Sequence, residues 1–326
     1  MAPVPPRVEI GDEFSRPDAV PVVALAGGVG AAKLVWGLAL EGLGRRLSVV
    51  VNTGDDLEAV GLRICPDLDT ITYTLAGLSN RTWGWGIEGD TFRCLNALGR
   101  LGADTWFGLG DQDLATHLWR TSLLNQGWGL AAVTAHICEA LGVEVSVLPM
   151  AEGYAPTLVE TDAGRLHLQE YLVREKCGPR VRGFEYTGLD SQRPAPGVEK
   201  AIRNARIIVI CPSNPFISVG PILAVPGIRQ AVASSPALVA AVSPIVGGRA
   251  LKGPAAKMLE ELGHPVSAEG VARIYRGLLD VFVLDERDAG SALAIEGLGM
   301  RVVVRNTIMD TPSAKRALAR ALLRLV

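Results

Sequence analysis

The sequence predicts an α/β fold: a Rossmann-like, mostly parallel sheet with helices on both faces and a smaller inserted α+β subdomain. Three observations predict it. Short continuous apolar runs, "VVALAG" (22–27) and "LSVVVN" (47–52), flank a glycine turn and a helical stretch. Such runs suit strands buried on both faces and joined by a crossover helix. The same alternation returns after residue 197. Between these halves, residues 144–190 carry short β-like runs split by Gly, Pro and Asp.

The first stretch, "MAPVPPRVEIGDEFSRPDAVP", is proline-rich and polar and lacks the apolar core of a signal peptide. Residues 1–20 read as a flexible tail. After the first apolar run, "GGVGAAKLVWGLALEGL" reads as a glycine turn feeding a helix, which makes residues 22–52 a βαβ unit. "DLDTITYTLAGL" reads as a helix with Asp69 or its neighbour near the first turn. In "GDTFRCLNALGRLG", Phe92, Leu95, Leu98 and Leu101 recur at three-residue steps and predict one helical face. "DLATHLWRTSLLNQG" and "LAAVTAHICEALGV" are two more helices, each stopped by glycine.

The runs "VSVLPM", "PTLVETD", "GRLHLQEYLV" and "GFEYTGL" then define an inserted subdomain, set at 144–196. The core comprises 21–143 and 197–326. Its second half holds a helix at 197–205 and the strand "RIIVICPSNP". Further strands are "ALVAAVSPIVG", "LDVFVLDE" and "MRVVVRNTIM", and "SAKRALARALLRLV" is an amphipathic closing helix.

Composition narrows the class. The chain of 326 residues is 48% hydrophobic and 20% charged, with a formal charge of −2. That is the balance of a globular enzyme, with no basic excess to meet nucleic acid or an anionic membrane. Five cysteines, Cys65, Cys94, Cys138, Cys177 and Cys211, form no CxxC pair. This pattern suits reduced thiols and a cytoplasmic location rather than a disulfide framework. No apolar run is long enough to span a bilayer.

Three regions carry candidate chemistry. Gly27, Gly28 and Gly30 stand at a strand-to-helix turn, where a backbone can approach phosphate or ribose closely. The alternative is a purely structural turn. Lys33 stands where a dinucleotide fingerprint would have its third small residue, so that fingerprint fails. Lys33 either adds charge to the site or is solvated. "VVNTGDDLEAVGLRICPDLDT" places Asp55, Asp56, Asp67 and Asp69 in two close pairs after a strand end, with Asn52 and Thr53 beside them. Crowded carboxylates repel, so the pattern suits a hard cation such as Mg²⁺. Helix capping by Asp56 or Asp69 is the alternative. "CPSNPFISVGPILAVPGI" makes a rigid loop after a strand, in which Ser213, Asn214 and Ser218 can donate to phosphate or base.

Two weaker signals accompany these. Trp83 and Trp85 lie between glycines, suited either to stacking on a flat ring or to covering a core edge. Arg93, just after that loop, is grouped with the ligand-binding residues. Asp111, Asp113 and His117 open a helix, where capping is the ordinary role of aspartate.

Together the motifs "LAGGVGAAK", "VVNTGDD", "ICPDLDT", "GWG", "LGDQDLATHLWRT", "HLQEYLVRE", "PSNPFISVGPILAVPGIR" and "SPIVGGRALKGPAAKML" resemble the 2-phospho-L-lactate transferases of coenzyme F-420 biosynthesis, the CofD/FbiA family. The resemblance runs from about Val22 to the C-terminus. It implies transfer of a phospholactyl, enolpyruvyl-phosphate or phosphoglyceryl group from its guanosine diphosphate derivative to the 5′-hydroxyl of the deazaflavin Fo, with GMP released. It implies a Mg²⁺ cofactor held by Asp55 with Asp67 or Asp69, and a homodimer supplied by an upstream guanylyltransferase. The guanosine diphosphate part would lie against the glycine turn and the "PSNP" loop, and Fo beside Trp83 and Trp85. Asp55 or Asp56 would take the hydroxyl proton. Two rivals are a YvcK-like regulator that binds a nucleotide-sugar without turnover, and an NAD(P)-dependent oxidoreductase. The broken glycine fingerprint and the aspartates beyond the strand end speak against the second.

Overall fold

A computed structural model describes residues 20–80 and 82–326. The tail expected at 1–20 therefore lies outside the described residues apart from Val20. In chain order the strands are β1 (Val22–Ala26), β2 (Leu47–Val51), β3 (Leu57–Ala59), β4 (Leu62–Ile64), β5 (Ser146–Pro149), β6 (Thr157–Thr161), β7 (Gly164–His167), β8 (Val181–Tyr186), β9 (Ile207–Ile210), β10 (Leu238–Val242), β11 (Ile245–Val246), β12 (Arg249–Ala250), β13 (Val281–Leu284) and β14 (Arg301–Val304). The first five helices are α1 (Gly28–Ala39), α2 (Pro66–Leu75), α3 (Arg93–Arg100), α4 (Asp111–Asn125) and α5 (Leu130–Ala140).

Seven strands form one sheet in the order β14-β13-β10-β9-β1-β2-β5. Every pairing in it is parallel. The expected fold class is borne out. The continuous apolar runs are explained by two cores, one on each face. Val23, Leu25, Ile208 and Ile210 point into one; Val22, Ala24, Ile207 and Val209 point into the other. All five residues of β1 are buried.

Two local readings need correction. "VSVLPM", expected to open the insertion, is instead β5, the edge strand paired to β2 from Ser48↔Ser146 to Val51↔Pro149. Its burial alternates, Val147 and Pro149 being buried and Ser146 and Leu148 half-buried, as an edge position allows. The separate antiparallel sheet is β7-β6-β8, with its own small core around Val159, Leu168, Tyr171 and Val181. In α3, Leu95 is buried but Leu101 is 84% exposed, because the helix stops at Arg100 and Leu101 falls beyond its apolar face.

One element went unread in the sequence: the hairpin β3–β4, paired Leu57↔Ile64 and Ala59↔Leu62. Its two-residue turn, Val60 and Gly61, has φ of 52° and 73°. Two successive positive φ values are the primed-turn geometry, ordinarily marked by Asn-Gly or Asp-Gly rather than Val-Gly. The hairpin folds the chain back so that residues 55–56 and 67–69 meet. Among the described residues, no helix is long and apolar enough to cross a membrane.

Candidate active site

The strand order reverses between the parallel neighbours β1 and β9: the chain continues from β1 to β2 on one side and from β9 to β10 on the other. Ligands of open parallel sheets bind beyond the carboxyl ends of the strands at such a point. A cavity of about 310 Å³ lies there. Gly27, Gly28, Gly30 and Lys33 line it from the β1–α1 turn, Asp55 and Asp67 from either side of the hairpin, and Pro212, Ser213, Asn214 and Ser218 from beyond β9. Ser243, Lys252 and Thr307 complete its polar lining.

The glycines serve different purposes. A Cβ on Gly30 would stand 2.5 Å from the carbonyl oxygen of Pro212, so Gly30 allows α1 to pack against the β9 loop. A Cβ on Gly27 would meet Ser218 and Asp67 at 2.7 and 2.8 Å. Gly28 has φ of +76° and open space where a side chain would begin. Its N–H donates to Asp67 Oδ1 at 2.5 Å, so this donor, expected to meet a diphosphate, is already committed.

The four aspartates divide into two kinds. Asp55 and Asp67 are buried and face the cavity without a cationic partner among the described residues. The Asn52 amide joins them: Nδ2 donates to Asp67 Oδ2 at 2.9 Å and to Asp55 Oδ1 at 3.3 Å. Gln169 Nε2 donates to Asp55 Oδ2 at 3.2 Å. Burial, then the charge of Asp67, pushes Asp55 well above the usual carboxylate range. Burial likewise pushes Asp67 up to about 6, against the pull of Asn52 and the Gly28 N–H.

Asp56 and Asp69 do not line the cavity. Asp56 is fully buried and takes Arg63 Nε and Nη2 at 3.1 and 2.8 Å, with Cys65 Sγ at 3.1 Å. Burial still raises it to about 6, although the Arg63 guanidinium opposes this. Asp69, expected among the metal ligands, is clasped on both oxygens by Arg120 of α4. His117 stands between two carboxylates, Nδ1 3.6 Å from Asp69 and Nε2 3.2 Å from Asp113. Tyr73 donates to Asp113 at 2.7 Å. Asp69, Asp113 and His117 have metal-like spacing, but Arg120 already supplies the cation there.

Other candidates resolve as follows. Thr53 is buried beside the site, does not line the cavity, and its Oγ1 has no hydrogen-bond partner among the described residues. Ser213 donates to the Gly27 carbonyl at 2.9 Å. Asn214 caps its own loop: Oδ1 accepts from Phe216 and Ile217 N–H, and Nδ2 contacts Met258 Sδ. Trp83 and Trp85 stack at 5.3 Å between ring centroids and are 49% and 43% exposed. Their loop overhangs the cavity mouth, because a Cβ on Gly84 between them would meet Val29 and Lys252, both cavity residues. Arg93 is exposed and outside the cavity lining; its backbone N–H donates to Asp111. Asp111 and Asp90 fix the tryptophan loop to the start of α4 through Cys94 N–H and Gln112 N–H.

Sequence reasoning missed Gln169, Ser243, Lys252 and Thr307. Gln169 sits inside the quoted motif "HLQEYLVRE", and Ser243 and Lys252 inside "SPIVGGRALKGPAAKML", but no spacing rule singles them out.

Residues 22–299 match the family model for the 2-phospho-L-lactate transferase CofD. A phosphoenolpyruvate transferase from Streptomyces griseus is 42% identical over 310 residues, covering 93% of this chain and 98% of that protein. A 2-phospho-L-lactate transferase from Methanosarcina acetivorans is 38% identical over 298 residues, covering 91% and 96%. A solved structure of a upf0052 family protein from Bacillus halodurans superposes with a TM-score of 0.62 at 18% identity, over 93% of this chain and 98% of that one. At that identity the likeness shows the fold alone.

Proposed function

The chain belongs to the CofD family of 2-phospho-L-lactate transferases, and from that premise we propose that it carries a phospho-acid group to the deazaflavin Fo. The phospho-acid is phosphoenolpyruvate or 2-phospholactate, the two named among its relatives. The donor is the guanosine diphosphate derivative of that acid. The 5′-oxygen of Fo attacks the phosphorus that bears the acid. A new O–P bond forms, the bridging P–O bond of the diphosphate breaks, and GMP leaves with the bonding electrons.

One observation carries this reading: two buried carboxylates, Asp55 and Asp67, share the floor of a strand-end cavity, and neither is ion-paired to a basic side chain among the described residues. Two buried carboxylates that burial and, for Asp55, its acidic neighbours make costly to hold as bare anions are hard oxygen donors, and Mg²⁺ bound to their deprotonated form would relieve that cost. Asp55 and Asp67 would hold the ion, which when bound neutralises charge on the diphosphate. Asn52 and Gln169 orient the two carboxylates. The Trp83–Trp85 pair offers a flat platform at the mouth for the deazaflavin ring. Asp55 has its carboxylate on the cavity wall and receives the hydroxyl proton, whereas Asp56 is held away by Arg63. Reactions of this kind depend mainly on positioning and charge stabilisation.

The test is to incubate the protein with Fo, GTP, Mg²⁺, a guanylyltransferase and each phospho-acid in turn, and to read product mass. Formation of an Fo phosphodiester together with GMP is expected with one of the acids. No phosphodiester with phosphoenolpyruvate, 2-phospholactate or 3-phosphoglycerate would overturn the proposal.

A further inference from the structure

The cavity's charged lining is two carboxylates, Asp55 and Asp67, and two lysines, Lys33 and Lys252. Lys33 has an acidic neighbour, Asp310, at 3.7 Å. Lys252 has none among the described residues. Its ammonium is exposed and makes one hydrogen bond, to the backbone carbonyl of Trp83 at 3.3 Å. An ammonium has three donors, so two remain for a ligand. Lys252 lies in a short loop, Leu251–Pro254, that joins β12 to the next helix and lines the cavity throughout. Three exposed apolar side chains belong to the two loops that this bond joins: Leu251, 54% exposed, beside Lys252 in sequence, and Trp83 and Trp85 on the tryptophan loop.

We propose that Lys252 binds the diphosphate of the donor and, through its bond to Trp83, makes acceptor binding depend on the donor. The inference rests on the transferase reading above. The charge balance supports it. A guanosine diphosphate ester of a phospho-acid brings two phosphate charges and a carboxylate into a cavity that already holds two aspartates. Lys33 and one Mg²⁺ leave that assembly net negative, and Lys252 is the remaining cation on the lining among the described residues. It is also the side chain that touches both halves of the site. Its loop faces the donor cavity, while its ammonium holds the backbone of the tryptophan loop. A phosphate drawing on the same ammonium fixes the Lys252 loop, and with it the position of Trp83.

Calorimetric titrations with Mg²⁺ test this in the wild type, Lys252→Met and Lys252→Arg. GDP is titrated first; Fo is titrated with and without saturating GDP. Wild type is expected to bind GDP, and to bind Fo at least fivefold more tightly when GDP is present. Lys252→Met should weaken GDP at least tenfold, leave Fo alone within twofold, and abolish the fivefold coupling. Lys252→Arg keeps the charge and should recover most of the GDP affinity. GDP binding in Lys252→Met within twofold of wild type overturns the proposal. So does a loss of Fo affinity in the absence of GDP, which would mark Lys252 as a mere prop for the loop. Failure of the wild type to bind GDP would instead refute the donor assignment on which the inference rests.

Discussion

Asp55→Asn separates a ligand carboxylate from a structural one. Asp55 is 5% exposed and shares the Asn52 amide with Asp67. Two carboxylates joined through one nitrogen stand on the order of 5 Å apart, and at an effective dielectric near 20 they repel by about 3 kcal/mol. The substitution removes that repulsion and the burial of one charge. Against this, the bonds from Asn52 and Gln169 weaken, but they are long, at 3.3 and 3.2 Å, and the Gln169 amide can turn. Each is worth about 1 kcal/mol. The net expectation in chelator is a protein more stable by about 1–2 kcal/mol, or a melting temperature higher by roughly 2–4 °C.

The pH dependence follows from the same cause. The folded Asp55 carboxyl titrates well above its ordinary range, so the folded wild type holds the proton more tightly than the unfolded chain. Its stability is therefore full below about pH 4 and falls as pH rises toward the raised value. The advantage of Asp55→Asn should be absent near pH 4 and grow toward neutrality. With millimolar Mg²⁺ the order should reverse, the wild type gaining stability by ligand linkage and the variant gaining little. Differential scanning calorimetry with chelator and with Mg²⁺, from pH 4 to pH 8, measures every part of this. A variant less stable than wild type in chelator, or one that gains as much from Mg²⁺, would refute the reasoning.

Other substitutions probe the remaining assignments. Trp83→Ala and Trp85→Ala should each weaken Fo binding by about 1 kcal/mol, read by calorimetry, and leave the melting temperature nearly unchanged because both rings are close to half exposed. Gly28→Val must adopt φ near +76°, at a cost of about 1–2 kcal/mol in stability, and its branches would enter the cavity, so GDP affinity should fall more than Fo affinity. Asn214→Ala removes a loop cap, costing about 1 kcal/mol in denaturant titration, with GDP affinity held within twofold. Arg120→Met leaves Asp69 buried without its cation and should destabilise the fold by about 3–5 kcal/mol.

The parallel core was legible because a strand covered on both faces must be apolar throughout, as β1 and β9 are. The edge strand β5 was not, because it is short, begins with a polar serine and ends in proline, and so resembles the short runs of the antiparallel sheet that follow it. Asp55 and Asp67 were legible as candidates since crowded acids near a strand end call for a cation. The choice among the four was not, because it depends on arginines at positions 63 and 120, distant in sequence or hidden in a hairpin that Val60–Gly61 did not advertise. Lys252 carries no local signal at all; only the fold brings it opposite Trp83.

The two acid pairs answer to one geometric rule. In the turn after β2, Asp55 and Asp56 are adjacent, and the bend sends one carboxylate to the cavity and the other to Arg63. In the first turn of α2, Asp67 and Asp69 are two residues apart, roughly 200° around the helix, so they face opposite sides. Asp67 meets the Gly28 N–H, and Asp69 meets Arg120 and His117. Each pair thus supplies one carboxylate to the site and one to an ion pair in the scaffold behind it. The second member fixes the backbone from which the first projects: Asp56 ties its turn to β4 through Arg63, and Asp69 ties α2 to α4 through Arg120. That anchoring keeps two repelling carboxylates side by side when no cation lies between them. The fold thereby carries the cost of holding the Asp55 and Asp67 carboxylates together at the cavity.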